Sequence, residues 1–307
     1  MMISCNNEIV PLVSFILISY NQERYIAEAI EAALSQDYEK IEFIFNDDCS
    51  KDHTFEIISE LSSSSNRNII YKSNPKNLGL AGNFNAALSL AKGDIIVVAA
   101  GDDISLFDRV SNTVQLFQNN DDISFLSFND YKINDENEIL GVLNDKLIED
   151  KKLTLKQFLN GIELEFCGAS RAFKRDIFDT FKELLPDCPT EDTPYRLRGL
   201  MLGNGMVSKL PGIKYRIHNN NLSNANNLSK MKHNLVSKQY EIDINLALLN
   251  GHISESESHD LFIWSRYIMN VKSLAFSDSN FKKIIGYLNL FFCNKFFRSK
   301  IRRRFSR

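Results

Sequence analysis

Residues 13–46 read VSFILISYNQERYIAEAIEAALSQDYEKIEFIFN, and this stretch decides the fold class. It opens with a continuous apolar run, VSFILIS (13–19), that has the length of a buried strand. A second such run, IEFIFN (41–46), closes it. The residues between them place their apolar side chains at helical spacing, at Ile26, Ala29, Ile30, Ala33 and Leu34. The order strand, helix, strand predicts a βαβ unit with two parallel strands.

The same alternation continues outward from this unit. Further strands are predicted at 68–73, 94–100 and 123–128, and helices at about 52–61, 81–91 and 105–118. The pattern favours an α/β fold with a doubly wound, mostly parallel sheet whose strand order runs 3-2-1-4. Residues 132–143 predict a hairpin or excursion, and the chain from about 227 predicts helices at 227–249, 254–275 and 279–300.

Polar residues gather where the predicted strands end. They are Ser19, Tyr20 and Asn21 after the first strand, Asp47 and Asp48 after the second, and Asp102 and Asp103 after the fourth. In open α/β sheets the ligand crevice lies at the carboxyl ends of the strands, where the strand order reverses. Paired carboxylates at such a point suit a divalent cation, Mg²⁺ or Mn²⁺, that bridges a diphosphate.

Several of these acids have simpler interpretations that the sequence leaves open. Asp102 and Asp103 could favour the N-terminus of the next helix, with Ser105 as its cap. Asp47 and Asp48 could be turn residues. Arg109 could pair with a nearby acid such as Asp108 or support the site. The chain has no G-x-x-x-x-G-K-[ST] and no G-x-G-x-x-G after the first strand, which disfavours a P-loop and a dinucleotide-binding Rossmann site.

The distribution of charge and the cysteines indicate which partners and which cellular compartment to expect. The net charge of −3 gives no overall field for nucleic acid, but residues 298–307 (RSKIRRRFSR) hold six basic residues and no acid. The basic, aromatic segment 281–307 suits either an interfacial membrane helix or a helix packed on the α/β domain with a solvated end. Five scattered cysteines predict reduced thiols. We expect a cytoplasmic protein, or one peripheral on the cytoplasmic face of the inner membrane, without signal peptide or spanning helix.

An ordered set of motifs resembles the family 2 nucleotide-sugar glycosyltransferases of GT-A fold. The chain carries ISYN (18–21), DDCSKDHT (47–54), NPKNLGLAGNFNAALSLAKGD (74–94), AAGDD (99–103), EDTPYRLR (191–198) and YRIHNNNLS (215–223). The match runs in consistent order over about residues 11–223. It implies a GT-A catalytic domain (1–223), with a nucleotide-binding half (about 11–130) and an acceptor half (about 131–223). A C-terminal helical region with a basic tail (224–307) follows it.

The resemblance also implies residue roles. Asp192 would be the general base, with Glu191 beside it as the second catalytic acid. The donor nucleotide would lie against Ser19, Tyr20, Asn21, Asp47, Asp48, Asn77, Gly79, Asn83 and Asp102. Tyr20 would contact the base by its ring, and Asp48 would accept a hydrogen bond from it. The divalent cation would be held by Asp103, Asp102 and His218.

The implied function is inverting, metal-dependent transfer of a sugar, typically from a UDP-sugar, to a hydroxyl of a glycan or lipid-linked acceptor. The family places this reaction in bacterial surface polysaccharide synthesis, such as O-antigen or capsule. Ala100 replaces the first Asp of the family's D-x-D motif, Cys49 replaces a common Gly, and Asn46 replaces a usual apolar residue. These departures keep an alternative open, a non-catalytic nucleotide-sugar-binding or assembly subunit with a degenerate site.

Overall fold

The predicted βαβ alternation is present in the first hundred residues of the computed structural model, which describes residues 10–219, 221, 224, 231–275 and 280–293. The elements are β1 (Val13–Ser19), α1 (Ile26–Leu34), β2 (Ile41–Asp47), α2 (Thr54–Ser63), β3 (Ile69–Ser73), α3 (Gly79–Leu88) and β4 (Ile95–Ala100). These strands are parallel, and their order β3-β2-β1-β4 confirms the predicted order.

The large sheet continues beyond β4 with strands of both directions. Its full order is β3-β2-β1-β4-β10-β6-β11-β9, and a smaller sheet has the order β5-β12-β7-β8. The remaining elements up to residue 216 are β5 (Ile104–Ser105), α4 (Arg109–Gln118), β6 (Ile123–Phe128), β7 (Tyr131–Ile133), β8 (Ile139–Val142), β9 (Lys151–Leu153), α5 (Leu155–Leu159), β10 (Ala172–Lys174), α6 (Asp176–Phe181), α7 (Asp192–Leu202), β11 (Asn204–Ser208) and β12 (Ile213–Arg216). The predicted hairpin is the antiparallel pair β7–β8.

The sheet is buried on both faces, which explains why its parallel strands read as unbroken apolar runs. All seven residues of β1 and of β2 are buried. One face packs on α1 through Ile26, Ala29, Ile30 and Ala33. The other face packs on α3 and α7, where Phe84 lies edge-on to Tyr195. Two apolar layers therefore fix the sheet and leave its carboxyl edge open for polar residues.

The helix predicted from about residue 105 begins later, at Arg109. Residues Ile104 and Ser105 form β5 instead and pair with β12, with Ser105 opposite Ile213. The Ser105 hydroxyl accepts a hydrogen bond from Arg109 Nη1 at 2.9 Å and does not cap α4. The pairing with β12, which is more than a hundred residues away, overrides the local capping signal.

Three long helices follow: α8 (His233–Leu249), α9 (Glu255–Ala275) and α10 (Asn280–Cys293). They confirm the predicted helical region, although residues 227–230 and 294–300 of the predicted helices lie outside the described residues. α8 joins the catalytic core through a buried ion pair, in which Arg198 donates to both carboxylate oxygens of Asp243 at 2.8 and 2.9 Å. Among the described residues, no helix is both long and apolar enough to span a bilayer.

Candidate active site

The turns after β1 and β2 are tied to each other at the carboxyl edge of the sheet. Asn21 donates its backbone N–H to Ser50 Oγ at 2.9 Å, and its side-chain oxygen accepts the N–H of Lys51 at 2.8 Å. Asn21 and Cys49 both adopt positive φ, at 52° and 60°. The Tyr20 ring remains 44% exposed beside these turns, which leaves an aromatic face open to a ligand.

Asp47 lies beneath this edge and is fully buried. Its carboxylate accepts hydrogen bonds from the hydroxyls of Ser19 (3.4 Å), Ser50 and Ser73 (2.9 Å) and from the N–H of Ser50 (2.9 Å). Asp47 therefore joins the ends of β1, β2 and β3 from inside the sheet, and it shapes the crevice from below.

Asp48 holds the loop that precedes α3. Its Oδ1 accepts the N–H of Leu78 at 2.8 Å and Asn74 Nδ2 at 2.9 Å, and its Oδ2 accepts the N–H of Gly79 at 2.9 Å. Gly79 has φ +75°, a conformation that L side chains rarely adopt, and Asn77 Oδ1 also accepts its N–H at 3.1 Å. Asp48 is only 3% exposed, so the loop 74–79 takes its position from this carboxylate.

A buried amide network supports Asp48. Asn46 Nδ2 donates to Asn83 Oδ1 at 2.6 Å and to Asn74 Oδ1 at 3.1 Å. Asn74 Nδ2 also donates to Asn83 Oδ1 at 2.9 Å, and Asn83 Nδ2 reaches the Ser19 carbonyl at 3.3 Å. Asn46 was no candidate in the sequence analysis, although an amide at the end of an apolar strand was the available signal. It completes the hydrogen bonding of the crevice floor.

The adjacent acids after β4 point into different surroundings. Asp103 is 4% exposed, and its Oδ1 accepts the backbone N–H of Arg216 at 2.9 Å. Burial, followed by the nearby charge of Asp102, raises the pKa of the Asp103 carboxyl well above its usual range. Asp102 is half-buried, and its Oδ2 lies 3.0 Å from Nε2 of His218. Only Asp102 therefore presents its carboxylate together with His218.

Arg109 lies behind Asp103 and does not pair with Asp108, which is the N-cap residue of α4. The Arg109 guanidinium is fully buried and donates to the Val98 carbonyl at 2.6 Å. Burial lowers the pKa of the Arg109 guanidinium to about 10, although the negative charges of Asp130 and Asp103 act to raise it. Arg109 thus supports the site from the interior by holding the end of β4.

Arg216, which sequence reasoning did not single out, fastens the elements around Asp102. Its side chain donates to the carbonyl of Asp102 (3.0 Å), the carbonyl of Asn134 (3.1 Å) and Glu28 Oε2 (2.8 Å). Its guanidinium also lies 4.8 Å from the centre of the Tyr25 ring.

The Tyr25 ring stacks on the His218 imidazole, with centroids 5.2 Å apart and planes at 27°. One buried cation therefore holds α1, the β7–β8 hairpin and the end of β4 around the Asp102–His218 pair.

Glu191 and Asp192 stand at the start of α7 and differ in exposure. Glu191 is buried and forms an ion pair with Arg171 at 2.7 Å, while burial raises the pKa of its carboxyl. Asp192 is half-buried, and its Oδ1 accepts the N–H of Thr193 at 2.7 Å. Its Oδ2 lies against Gly168, where a Cβ atom would come within 2.5 Å of it. Asp192 is the acid that remains partly open.

Asp192 and Asp102 face the same edge of the sheet. Arg171 Nη1 donates to the Gly168 carbonyl at 2.5 Å, and the Val98 N–H donates to the Arg171 carbonyl at 3.1 Å. Because β10 runs antiparallel to β4, the residues that enter β10 lie beside the carboxyl end of β4, which carries Asp102. Gly168, which the Asp192 carboxylate approaches, therefore lies at the same edge of the sheet as the Asp102–His218 pair.

The donor set for a cation consists of one carboxylate and one imidazole. Among the described residues there is no group of three or more His, Cys, Asp and Glu side chains placed to hold a metal ion. Mg²⁺ in substrate-binding sites takes one or two carboxylates and completes its coordination with phosphate oxygens and water. The half-buried Asp102–His218 pair fits a cation of that kind, which the protein and a diphosphate share.

Comparison with known proteins extends these observations. WfaP of Escherichia coli, named as a UDP-Glc:α-D-GlcNAc-diphosphoundecaprenol β-1,3-glucosyltransferase, is 37% identical over 133 residues, which are 43% of this chain and about half (51%) of that protein. WfgD of Escherichia coli, with the same named activity, is 26% identical over 278 residues, which are 89% of this chain and 98% of that protein.

The structure of residues 1–349 of S. aureus TarS in complex with UDP-GlcNAc superimposes with a TM-score of 0.66 at 17% identity, over 92% of this chain and 76% of that one. This likeness confirms the predicted GT-A fold with its helical C-terminal part. The sequence model described as "Glycosyl transferase family 2" matches residues 14–181, which contain both strand-end acid pairs and the asparagine network of the crevice. The fold, the ordered motifs and this match together show that the chain belongs to glycosyltransferase family 2.

Proposed function

We propose that this chain is an inverting, divalent-cation-dependent glycosyltransferase that uses a UDP-sugar donor. Its acceptor is a hydroxyl of a lipid-linked glycan such as a GlcNAc-diphospholipid, in the synthesis of a bacterial surface polysaccharide. The observation that carries this proposal is the placement of a partly open acid, Asp192, and the Asp102–His218 pair at the same edge of the sheet. The acceptor class follows the named activities of WfaP and WfgD.

In this proposal Asp192 takes the proton from the acceptor hydroxyl while that oxygen attacks the anomeric carbon of the donor. Glu191 does not compete for the proton, because it is buried and held by Arg171. Arg171 also donates to the carbonyl of Gly168. One guanidinium therefore fixes both Glu191, which precedes Asp192, and Gly168, against which the Asp192 carboxylate lies. One-step displacement by an oxygen that a single carboxylate activates inverts the configuration at the anomeric carbon.

Asp102 and His218 are the residues that would hold the cation, and the bound cation would stabilise the charge that develops on the departing diphosphate. Asp103 would position this pair, since its carboxylate is buried against the backbone of Arg216. The nucleotide would lie between the exposed ring of Tyr20 and the loop 74–79. Asp48, Asn77 and Gly79 shape that loop, and Asp47, Asn83, Ser19 and Asn21 support the crevice around it.

The domain division belongs to the same proposal. The nucleotide-binding half (about 11–130) would supply the donor crevice, and the acceptor half (about 131–223) would supply Asp192 and His218. The helical region from 224 shares a hydrophobic core with the catalytic domain through α8 and α9. We place the enzyme in the cytoplasm, with residues 281–307 in contact with the cytoplasmic face of the inner membrane.

Calorimetric titration of UDP, with GDP and dTDP for comparison, tests the donor site in the presence and absence of Mn²⁺. We expect UDP binding that requires the cation and that Asp102→Asn abolishes. Asp103→Asn should retain cation-dependent binding at reduced affinity. Asp121→Asn is a matched control, because this exposed aspartate precedes β6 at the opposite edge of the sheet. Binding that ignores both Mn²⁺ and Asp102 would contradict the site.

Asp192→Asn separates transfer from binding. If the chain is an enzyme, Asp192→Asn should lower turnover by about a thousandfold, because it removes the positioned base. Its UDP affinity should stay within about twofold of wild type. The anomeric configuration of the product, measured by NMR, should be opposite to that of the donor. A wild-type chain that binds UDP-sugars but transfers none to any lipid-linked acceptor would instead favour the non-catalytic binding subunit.

A further inference from the structure

The helix α10 carries a continuous apolar stripe on its exposed side. Four large side chains face solvent there: Phe281, Ile284, Ile285 and Leu288, with exposed fractions of 71%, 60%, 43% and 52%. Their spacing i, i+3, i+4, i+7 places them on one face of the helix. A contiguous apolar face of this kind on a folded protein marks an interaction surface, whereas single exposed apolar residues do not.

The opposite side of α10 is already occupied. Gly286 lies so close to α9 that a Cβ atom there would come within 2.2 Å of Leu274. Leu290 is buried, and Tyr287 packs against the main hydrophobic cluster. These contacts hold the helix in a fixed orientation, and within the part of the chain that the structure describes its apolar stripe faces solvent.

The charge of the sequence around the stripe favours an anionic partner. Residues 281–307 contain nine Lys and Arg residues and no Asp or Glu, whereas the remainder of the chain carries 27 basic and 39 acidic residues. The six basic residues of 298–307 begin ten positions after Leu288, the last residue of the stripe. An apolar helix face followed by a run of cations complements an anionic bilayer, which offers apolar chains beneath negatively charged headgroups.

We infer that the stripe Phe281–Ile284–Ile285–Leu288 docks this protein on the surface of an anionic membrane, with the basic segment 298–307 binding lipid headgroups. The inference deepens the membrane contact of the proposed function by naming the side chains that make it, and it rests on the proposed function for the identity of the acceptor. The helix inserts its apolar face at the headgroup boundary and does not cross the bilayer.

Contacts of α9, the helix beside α10, connect this surface to the segment that leads to the Asp192 carboxylate. Trp264 of α9 packs on Phe158, with ring centroids 4.8 Å apart. On the same helix, burial of Tyr267, followed by the charges of the nearby Glu163 and Tyr287, raises its pKa to about 12. The segment around Glu163 leads to Gly168 and the Asp192 carboxylate. Docking through α10 would therefore bring the acceptor side of the active site close to the bilayer, where a diphospholipid acceptor resides.

Sedimentation of the full-length protein with lipid vesicles tests the inference. We expect the protein to bind vesicles of phosphatidylcholine mixed with phosphatidylglycerol more tightly than vesicles of phosphatidylcholine alone, and more weakly as salt is raised. Ile284→Ser/Leu288→Ser should lower the partition coefficient about 100-fold, at about tenfold for each lost apolar side chain. Arg302→Gln/Arg303→Gln/Arg304→Gln should lower binding to the anionic vesicles by a similar factor, at about fivefold per charge.

The matched control is Ile148→Ser/Leu249→Ser, which removes two apolar side chains that are each 81% exposed but lie outside the stripe. It should leave vesicle binding unchanged. All variants should bind UDP as the wild type does, so a failure of the donor site would show separately from a failure of docking. Equal loss in the control and stripe variants, or no vesicle binding, would overturn the inference. Sedimentation velocity that shows a dimer only when the stripe is intact would assign the surface to a second copy.

Discussion

Gly168 is the position at which a single methyl group should separate catalysis from folding and from donor binding. An alanine Cβ at residue 168 would lie 2.5 Å from Asp192 Oδ2, 3.0 Å from its Cβ and 3.1 Å from its Cγ. An ordinary contact between a carbon and a carboxylate oxygen needs more than 3 Å. The nearest atom belongs to a side chain and not to the backbone, so rotation of the Asp192 carboxylate should relieve the shortest contact of Gly168→Ala. The contact with the Cβ atom of Asp192 should be relieved by a shift of a few tenths of an ångström between the two residues.

The size of the effect follows from that displacement. To restore an ordinary contact the carboxylate must move by roughly 1 Å, and a misplacement of about 1 Å at a reacting group can cost about 100-fold in rate. We therefore expect the turnover of Gly168→Ala to fall about 100-fold, which corresponds to about 2.7 kcal/mol of activation free energy. Stability should change by less than about 1 kcal/mol, because the shifted group is the half-buried end of a side chain.

The assay is sugar transfer at saturating donor, combined with UDP calorimetry and thermal unfolding of each variant. A double-mutant cycle with Asp192→Ala isolates the mechanism, since that variant has no carboxylate for the new methyl group to displace. Gly168→Ala should then have no further effect on residual transfer. A wild-type rate for Gly168→Ala, or a 100-fold loss that persists in the Asp192→Ala background, would refute the reasoning.

Three further changes test the supports of the site. Asn46→Val leaves buried amide partners unpaired, so it should destabilise the fold by about 1–3 kcal/mol and weaken UDP binding, measured by denaturation and calorimetry. Arg216→Lys removes the forked contacts around Asp102 and should weaken Mn²⁺-dependent UDP binding about tenfold. Asp243→Asn leaves Arg198 buried without its partner charge, and it should lower the free energy of unfolding by about 3–5 kcal/mol without changing UDP affinity at temperatures where it is folded.

Each of these three expectations has an outcome that would contradict it, and Asn46→Val also has a matched control. Asn85 is another buried amide of α3, and it hydrogen-bonds the backbone of Leu184 at 2.8 and 3.0 Å. Asn85→Ala should destabilise the fold as Asn46→Val does but leave UDP affinity intact, so equal affinity losses would remove the special role of Asn46. Unchanged binding in Arg216→Lys would show that the Asp102–His218 pair needs no guanidinium support. A change in UDP affinity in folded Asp243→Asn would couple α8 to the donor site.

The parallel strands could be predicted because burial on both faces leaves a direct trace in the sequence. Strands of this kind read as unbroken apolar runs, and β1 and β6 have the predicted bounds. From the sequence alone, the carboxyl-edge rule predicts that Asp48 and Asp102 lie in one crevice. Local pattern and chain topology were sufficient for this part of the fold.

The contacts that decide which acids are exposed could not be predicted in the same way. Arg216 meets the Asp102 carbonyl across 114 positions of sequence, and Asn46 meets Asn83 across 37. An amide at the end of an apolar strand marks Asn46 as unusual, but neither residue has a local pattern that identifies its distant partner. The start of α4 was misplaced for the same reason, because the pairing of Ser105 with a distant strand prevails over its capping preference.

The two adjacent aspartates show why such contacts matter for function. Asp102 and Asp103 lie in the turn after β4, in which the N–H of Asp103 donates to the carbonyl of Ala100 at 3.3 Å. The turn places the carboxylate of Asp102 beside His218 and directs the carboxylate of Asp103 inward to the N–H of Arg216. Repulsion between the two charges is relieved because burial favours the neutral form of Asp103, so the pair need not carry two negative charges. The inner acid fixes the backbone of Arg216 through a hydrogen bond, and the outer acid presents its carboxylate beside His218. A D-x-D motif that has lost its first acid to Ala100 can still offer a carboxylate and an imidazole at the correct edge of the sheet.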